Sequence, residues 1–342
     1  MQKIILGRTG LEVTRSGYGA LPLQRIPIAE AVALLRQARD GGINFFDTAR
    51  AYSDSEIKLG EAFGGAWQDI IIATKTQAKD AATLKRDLEI SLGNLKCDCI
   101  DIYQLHNMQF VPAQDHELYQ ALLEAQSTGK IRFIGLTTHK LDIAKEAVES
   151  GLYDTIQYPL SCLSDDEELE MAERCQELNI GVIAMKAMAG GLLPSASLSM
   201  AYLRHLENVV PIWGMQFAHE VEEVLALEKT PPVLANDPEL KARIDEQRQT
   251  LTGNFCRGCG YCLPCPANIQ LNTIVRLPQL LRRSPWKERY SENFRAEMAK
   301  IEQCIHCGAC KTRCPYGLDA EVMIVEALED WKAFGREQGI EI

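Results

Sequence analysis

Residues 99–137 read CIDIYQLHNMQFVPAQDHELYQALLEAQSTGKIRFIGLT, and they show the unit from which the N-terminal two thirds of the chain is built. An apolar, β-branched run over Cys99–His106 precedes a segment with apolar residues at helical spacing, Glu117–Ser127, and a second apolar run, Ile131–Thr137. Short apolar runs of this kind are typical of buried strands, and a spacing of three and four residues is typical of an amphipathic helix. The stretch therefore predicts a β-α-β unit, which joins two parallel strands.

The same alternation continues on both sides of this unit, up to about residue 230. The eight strand candidates are Gly17–Leu21, Asn44–Thr48, Ile70–Thr76, Cys99–His106, Ile131–Thr137, Thr155–Pro159, Gly181–Lys186 and Val209–Gly214. The other helix-like segments include Ile28–Asp40, Leu84–Leu95, Leu141–Val148, Asp166–Leu178 and Glu220–Leu227. A doubly wound open sheet would show the same alternation, but eight repeats of about 25 residues favour closure into an α/β fold of the (β/α)8 TIM-barrel type.

The composition of the 342-residue chain changes after the barrel. Three prolines between residues 231 and 238, followed by a charged helical pattern, indicate a connector. We predict three parts: a barrel over 1–235, a connector over 236–250 and a small, mostly helical, ferredoxin-like iron–sulfur domain over 251–342. Few apolar residues lie next to the cysteines of the last part, so we expect its stability to depend on metal. Its tail, Asp319–Arg336, has the pattern of one amphipathic helix.

Eight of the twelve cysteines lie in two short runs near the C-terminus. The runs are Cys256, Cys259, Cys262 and Cys265, then Cys304, Cys307, Cys310 and Cys314. Each run ends in Cys-Pro, and the second has the C-x2-C-x2-C-x3-C-P spacing by which a short loop wraps a cubane iron–sulfur cluster. The first run has only Leu263 and Pro264 before its last cysteine, which leaves the partition of ligands open. The runs predict two [4Fe-4S] clusters, with a single cluster as the alternative.

Disulfides and zinc are the other common uses of such cysteines. Disulfides need an oxidising compartment, but the N-terminal residues MQKIILGRTG carry charge and lack the apolar segment of a signal peptide. Zinc sites place C-x2-C pairs farther apart, whereas each run here packs its thiols into one loop. We therefore expect a cytoplasmic protein that handles electrons.

The charge of the chain narrows the range of partners. A net charge of −11 argues against nucleic acid and anionic membranes, because the long-range field repels phosphate. No apolar run reaches the length of about 18 residues that a membrane-spanning helix needs. The basic stretch LRRSPWKER, residues 281–289, is either a solvated face or a docking patch for an acidic electron carrier.

Four polar residues fall at or just after predicted strand ends, where the reacting groups of a barrel lie. They are Asp47, Tyr52, Lys75 and His106. Reduction of a carbonyl by hydride needs a proton donor, and a nearby ammonium lowers the pKa of a phenol from its ordinary value near 10. Tyr52 is therefore the candidate general acid, Lys75 tunes it, and Asp47 holds Lys75. His106 is predicted to donate a hydrogen bond to the substrate oxygen.

The sequence around these residues resembles a known family. The segments FFDTARAYSDSEIKLGEAF (45–63), IIIATKT (70–76) and DIYQLHN (101–107) resemble the three active-site segments of the aldo/keto reductases. The segment LGRTGLEVTRSGYGALPL (6–23) resembles their N-terminal hairpin and first strand. The whole chain resembles the iron–sulfur subgroup, in which a two-run ferredoxin-type domain follows the barrel. The resemblance implies NAD(P)H across the C-terminal mouth of a barrel, with the four residues above in the roles just given.

The resemblance also implies a cofactor site. Family members contact the nicotinamide carboxamide with a Ser-Asn pair after strand five and a Gln on strand six, and the corresponding residues here are Thr137, Thr138 and Gln157. Met185 stands where the family commonly has a Tyr that stacks on the nicotinamide. The loops after strands seven and eight, where barrels tend to bind phosphate, contain Lys186, Gly190, Gly191 and Gly214.

The loop after strand eight bears on the choice of cofactor. NADP-preferring members carry basic residues there, whereas GMQFAHEVEE (214–223) has none, and Glu220 would repel a 2′-phosphate. We expect weak discrimination in favour of NADPH, or a preference for NADH. FMN is an alternative cofactor, because a phosphate site after strands seven and eight also suits it.

Together these features predict an oxidoreductase. The barrel reduces a carbonyl or related electrophile of a small-molecule substrate, and the clusters exchange single electrons with a ferredoxin- or flavodoxin-like carrier. Two alternatives stay open: the clusters are structural, or the protein is a non-enzymatic redox sensor or electron-transfer subunit whose barrel binds nucleotide or flavin. A binding module has no use for all four polar groups, which favours the enzyme.

Overall fold

The structure is a computed structural model that describes residues 1–193, 195–251, 255–283 and 286–340, without the side chains of residues 236 and 283. Residues 252–254, 284–285 and 341–342 of the predicted ferredoxin-like domain lie outside the described residues. The chain divides into two compact units, Met1–Ala187 with Ser195–Asp245 and Met188–Pro194 with Glu246–Ile342.

The first unit contains a closed barrel of eight parallel strands. A short antiparallel hairpin, β1 (Lys3–Ile5) and β2 (Glu12–Thr14), precedes it. The barrel strands are β3 (Gly17–Gly19), β4 (Phe45–Asp47), β5 (Ile71–Thr76), β6 (Ile100–Leu105), β7 (Ile131–Thr137), β8 (Thr155–Pro159), β9 (Gly181–Met185) and β10 (Val209–Gly214). Neighbours in sequence pair in parallel, and β10 closes the ring between β9 and β3. The predicted (β/α)8 barrel is confirmed, with each strand end within two residues of its prediction.

Helices connect the barrel strands. They are α1 (Ile28–Asp40), α2 (Ser55–Phe63), α3 (Ala81–Leu95), α4 (Glu117–Ser127), α5 (Leu141–Ser150), α6 (Asp166–Glu177), α7 (Ala196–Leu203) and α8 (Ala218–Lys229). Local sequence sets several of their ends: Asp165 and Glu168 form a capping box at the start of α6. The helices α2 and α7 were absent from the sequence prediction. In α7 every residue except Ser197 is buried, so no polar face shows the helical period, whereas α2 buries the charged side chains of Glu56 and Lys58 and exposes Ile57.

The barrel interior follows the period of two that strands impose on side-chain direction. Alternate strand residues such as Phe45, Ala73 and Ile102 share one buried cluster with Leu6 and Val13 of the N-terminal hairpin. Gly181, the first residue of β9, lies so close to the hairpin that an added Cβ would stand 2.6 Å from Leu6 Cγ. The hairpin therefore closes the N-terminal end of the barrel, and the opposite end stays available for chemistry.

The second unit is mostly helical, as predicted. Its helices include part of α9 (Pro238–Leu251), α10 (Leu271–Ile274), α11 (Leu277–Arg283), α12 (Glu292–Ala299), α13 (Ala309–Arg313) and α14 (Ala320–Glu337). Because α9 covers most of residues 236–250, the predicted connector is largely helical. None of the helices that the structure describes is long and apolar enough to cross a membrane.

This unit has a larger apolar core than the sequence suggested. Thirteen buried residues form it: Ile269, Leu271, Ile274, Val275, Leu277, Leu281, Tyr290, Met298, Ile301, Ala320, Ile324, Ala327 and Trp331. Tyr290 stacks on Trp331 with 5.0 Å between ring centroids and donates a hydrogen bond to its carbonyl oxygen. Most of these residues lie on helices between and after the two cysteine runs, so inspection of the cysteine runs alone underestimated the apolar contribution to stability.

Candidate functional site

A buried ion pair lies at the C-terminal end of the barrel interior. Lys75, the fifth residue of β5, donates hydrogen bonds from Nζ to Asp47 Oδ1 and to the carbonyl oxygen of Thr48, each at 2.6 Å. Asp47 is 2% exposed and Lys75 is 1% exposed. Burial raises the pKa of Asp47 and lowers the pKa of Lys75, and their mutual attraction opposes both shifts. The pair carries no net charge, which makes its burial tolerable.

Tyr52 lies beside this pair. The loop after β4 runs along β5, because the backbone N–H groups of Thr48 and Arg50 donate to the carbonyl oxygens of Ala73 and Lys75. That path places the ring centroid of Tyr52 5.3 Å from Lys75 Nζ. Tyr52 is half-buried, so part of its side chain is accessible to solvent while the ring lies next to the ion pair.

His106 completes the group at the end of β6. Its ring is edge-on to Tyr52, with 5.7 Å between centroids and 82° between planes. Burial, with a smaller contribution from Lys75, lowers the pKa of His106 to about 3. The imidazole is therefore neutral at pH 7, and it can donate a hydrogen bond but does not carry a positive charge. The structure thus brings all four predicted residues together.

Two glutamines surround the Asp47 carboxylate. Gln104 Nε2 donates to Gln157 Oε1 at 2.9 Å and approaches Asp47 Oδ2 at 3.4 Å, and Gln157 Nε2 approaches Asp47 Oδ1 at 3.4 Å. Both side chains are buried. Sequence reasoning assigned Gln157 to the cofactor and missed Gln104. The available signal was its position two residues before His106, on the same face of the strand.

The loop that carries Tyr52 is held by side chains that sequence reasoning also missed. Ser55 Oγ donates to the carbonyl oxygen of Ala20. Lys58, only 1% exposed, donates from Nζ to Leu23 O and Asp54 Oδ1, each at 2.8 Å. These contacts join the loops after β3 and β4, so they restrict the position of Tyr52.

The two side chains after β7 that were predicted to contact the nicotinamide carboxamide, Thr137 and Thr138, form hydrogen bonds within the protein. Thr137 Oγ1 accepts a hydrogen bond from the N–H of Asn107, and Thr138 Oγ1 donates to the carbonyl oxygen of Met108. His139 Nδ1 lies 3.1 Å from Asn107 Oδ1. The two threonines therefore fix the loop after β6, in addition to any contact with a cofactor.

The other predicted cofactor residues are spread over two loops. Met185 ends β9, and Lys186 follows it with a φ of +58°. Gly190 and Gly191 belong to the second unit, where Gly190 approaches Arg257 so closely that an added Cβ would stand 2.3 Å from its carbonyl oxygen. Close packing against Arg257 is thus a sufficient reason for glycine at position 190, and a bound phosphate is not needed to explain it.

After β10, the carboxylate of Glu220 occupies the N-terminus of α8. Its Oε2 accepts hydrogen bonds from the backbone N–H groups of Gln216 at 2.6 Å and Phe217 at 3.0 Å. Gly214 ends β10, and an added Cβ there would stand 3.2 Å from Pro22 Cγ. An anion that approached these N–H groups would have to displace the carboxylate.

The cluster cysteines line two cavities in the second unit. The first cysteine cavity is lined by Cys256, Cys259, Cys262, Cys310 and Cys314, and the second by Cys262, Cys265, Cys304, Cys307 and Cys310. In the described part of the chain, no three His, Cys, Asp or Glu side chains converge on one metal-ion position. Cavities lined by several separated thiols fit a group larger than one ion, as a cubane cluster is.

Two arginines of the basic stretch 281–289, Arg282 and Arg289, contact other residues of the same unit. Arg282 donates from Nη1 and Nη2 to the two carboxylate oxygens of Asp330, at 2.8 and 2.7 Å. Arg289 lies over the ring of Phe294 with its Cζ 5.3 Å from the centroid. Ser284 and Pro285 lie outside the described residues. The docking patch remains a prediction.

Comparison with known proteins agrees with this geometry. The sequence pattern of the aldo/keto reductase family matches residues 3–233, which is more than half of the chain. The chain belongs to the aldo/keto reductase family. A second pattern, that of a 4Fe-4S dicluster domain, matches residues 255–319. This protein is therefore an aldo/keto reductase-type oxidoreductase with a C-terminal 4Fe-4S domain.

Similar curated proteins include L-galactose dehydrogenase of Arabidopsis thaliana, 35% identical over 209 residues. That match covers 55% of this chain and 66% of the plant protein, slightly less than two thirds of its length. The uncharacterized oxidoreductase YqkF of Bacillus subtilis is 31% identical over 215 residues, which cover 59% of this chain and 69% of that protein. These matches lie within the family and leave the substrate open.

Solved structures show the same barrel. The holo form of an aldo-keto reductase from Bacillus halodurans superposes with a TM-score of 0.64 at 24% identity, over 71% of this chain and 96% of that one. A Klebsiella pneumoniae aldo-keto reductase solved in complex with NADPH gives a TM-score of 0.62 at 23% identity, over 72% and 96% of the two chains. At these identities the likeness is one of fold.

Proposed function

We propose that the barrel catalyses the NAD(P)H-linked reduction of a carbonyl or related electrophile on a small-molecule substrate, with Tyr52 as the general acid. The observation that carries this proposal is the placement of Lys75 Nζ, 2.6 Å from Asp47 and 5.3 Å from the ring centroid of Tyr52. A positive group in that position stabilises phenolate and so makes the phenol a better proton donor.

Each residue has a distinct part in this proposal. A bound nicotinamide would supply the hydride for the carbonyl carbon, and Tyr52 would donate the proton to the carbonyl oxygen. Lys75 stabilises the phenolate that remains, and Asp47 holds the ammonium in place. His106 is neutral at pH 7 because its pKa is lowered to about 3, so it donates a hydrogen bond to the substrate oxygen without competing as the acid.

We further propose that the cofactor is a nicotinamide nucleotide, with weak discrimination in favour of NADPH or a preference for NADH. The family neighbour from Klebsiella pneumoniae was solved with NADPH, which supports the class of cofactor. Glu220, which already accepts the N–H groups of Gln216 and Phe217, opposes a 2′-phosphate at the same place. Competition binding that favours NADPH a hundredfold would contradict this part. FMN is the alternative, and flavin quantification distinguishes it.

For the second unit we propose two [4Fe-4S] clusters that pass single electrons to or from a ferredoxin- or flavodoxin-like carrier. Cys256, Cys259, Cys262 and Cys314 would hold one cluster, and Cys265, Cys304, Cys307 and Cys310 the other. The linings support this assignment, because the last cysteine of each run lies with the first three of the other run, and each cavity also contacts the third cysteine of the remaining run. The same exchange is typical of two-cluster bacterial ferredoxins.

Steady-state kinetics on anaerobically purified protein test the barrel chemistry. With a panel of carbonyl substrates, Tyr52→Phe should lower kcat/KM by about 10²-fold or more, with iron and sulfide content unchanged. Tyr119→Phe is the matched control, because its hydroxyl donates to Leu152 O away from the ion pair. Undiminished turnover by Tyr52→Phe would remove that residue from the mechanism. Nucleotide binding without turnover of any substrate by the wild type would instead support the sensor.

A further inference from the structure

The two cysteine cavities differ in the charged side chains around them. Both receive backbone N–H groups on their thiols: Gly258 N lies 3.4 Å from Cys256 Sγ, and the N–H of Lys311 contacts Cys310. Backbone donors therefore do not distinguish the two sites. Nearby charged side chains distinguish them, because a charge next to a cluster changes the free energy of adding an electron.

Arg257 lines the first cysteine cavity. Its guanidinium carbon lies 4.4 Å from the ring centroid of Phe255 and 4.4 Å from that of Tyr316, so two aromatic rings sandwich it. The carbonyl oxygen of the same residue is covered by the close approach of Gly190. The guanidinium is thus held against the ring of Tyr316, which lines the same cavity, and arginine keeps its charge at any working pH.

A second arginine reaches the same loop from the helical part of the unit. Arg276 Nη1 stands only 2.0 Å from the point that a Cβ on Gly258 would occupy, and Gly258 has a φ of +66°. Only glycine leaves room for this contact. Because the N–H of the same Gly258 lies 3.4 Å from Cys256 Sγ, this contact places the Arg276 guanidinium next to a proposed cluster ligand.

The second cysteine cavity has a different environment. Among the described residues in its lining, the charged side chain is that of Glu321, whose Oε1 lies 2.6 Å from His306 Nδ1. The ammonium of Lys311, next to Cys310, pairs with Asp319 at 2.7 Å. This cavity is also the more accessible one, since Cys307 is exposed and Ile305 is 64% exposed, whereas no cysteine of the other ligand set is fully exposed.

We infer that Arg257 and Arg276 give the cluster in the first cysteine cavity the higher reduction potential of the two. The first electron that the protein accepts therefore resides on that cluster. The inference rests on the proposed function, because it requires both clusters. Two fixed positive charges stabilise the more negative, reduced cluster, and a carboxylate destabilises it at the other site. The two cavities share Cys262, Cys310 and Leu271 in their linings, so the clusters are neighbours.

This order of potentials gives the transfer a direction. With both clusters bound, a one-electron donor of the reduced ferredoxin class would lose one electron at the exposed second cavity, and the cluster there would gain it. That electron would then pass to the cluster in the first cavity, which would be reduced as the second is reoxidised. No proton or bond changes in either step, and the carrier leaves oxidised by one electron.

Potentiometric titration of the full chain, followed by EPR under anaerobic conditions, tests the inference. We expect two one-electron waves in the wild type. Arg257→Gln and Arg276→Gln should each lower the higher wave by about 59 mV, a tenfold change for a one-electron couple, with a smaller effect on the lower wave. Arg257→Lys should keep most of the wild-type potential. Glu321→Gln should raise the lower wave.

Matched controls remove the same charges elsewhere in this unit. Arg282→Gln breaks a pair with Asp330, and Glu329→Gln breaks a pair with Lys332 on the helix that carries Glu321. Both should leave the two potentials unchanged. A single wave in the wild type, equal shifts of both waves, or a larger shift of the lower wave in the arginine variants would overturn the inference. Protein without iron would remove the proposed clusters as well, whereas loaded protein with insensitive potentials would remove only this inference.

Discussion

Removal of the ammonium of Lys75 tests the buried ion pair directly. In Lys75→Met, the carboxylate of Asp47 stays 2% exposed but keeps only the amide groups of Gln104 and Gln157, each 3.4 Å away. Loss of one partner from a buried pair leaves an uncompensated charge and costs about 3–5 kcal/mol. Whole domains are stable by about 5–15 kcal/mol, so the variant should fold but unfold at a clearly lower denaturant concentration.

The pH dependence of this loss identifies its cause. Without the ammonium, burial raises the pKa of Asp47 in the folded state above its unfolded value near 4. A carboxyl with a raised folded pKa contributes stability that is fully present below about pH 4 and is lost as the pH rises through the folded value. The free energy of unfolding of the variant should therefore be closest to that of the wild type near pH 4 and should drop below it as the pH increases.

Anaerobic urea unfolding at several pH values, followed by circular dichroism and fluorescence, measures this difference. The double variant Asp47→Asn/Lys75→Met, which has no orphan charge, should recover about 2 kcal/mol or more at pH 7 relative to Lys75→Met. A loss below about 1 kcal/mol at pH 7, or a loss that is independent of pH, would refute the account of an obligatory buried pair. All of these variants should lack carbonyl reductase activity, so stability is the readout that separates them.

Three further changes test other parts of the structure. Burial lowers the pKa of folded His106 to about 3, so its contribution to stability is lost as the pH falls from about 6.5 toward 3. In His106→Gln, the free energy of unfolding should therefore depend less steeply on pH over that range. Equal slopes in the variant and the wild type would contradict the burial of a neutral imidazole. Gly190→Ala should destabilise the second unit more than Gly191→Ala in thermal unfolding, because both have positive φ but only the first would clash with Arg257 O. Glu220→Ala should raise the affinity for NADPH relative to NADH by about tenfold in fluorescence titrations, and an unchanged ratio would place the 2′-phosphate elsewhere.

Much of the barrel could be predicted because its signals are local. Each strand is a short apolar run, and each amphipathic helix shows its own periodicity, so eight repeats in order were visible without any tertiary information. The helices α2 and α7 were not visible in this way. The residues of α7 are buried on nearly every side, so that helix has no polar face to reveal its period, whereas α2 buries charged side chains and exposes Ile57, the reverse of the usual pattern.

The candidate site was predictable to the extent that strand ends in a barrel meet at one mouth. That rule placed Asp47, Lys75 and His106 together in advance, and Tyr52 followed because it comes soon after a strand. Gln104 was missed because its importance comes from a partner on another strand, Gln157, which is 53 positions away in sequence. Its polar character alone did not distinguish it from a solvated side chain.

The sequence by itself determined the number of barrel strands, the identity of the four polar groups near their ends and the presence of two cysteine runs, because spacing along the chain carries each of these signals. Only the tertiary structure decided which cysteines share a cavity, how Asp47 is held by two glutamines, and where Arg257 and Arg276 stand. Those facts depend on distances between residues far apart in sequence, and electrostatic effects depend on such distances and on burial, which no local pattern records.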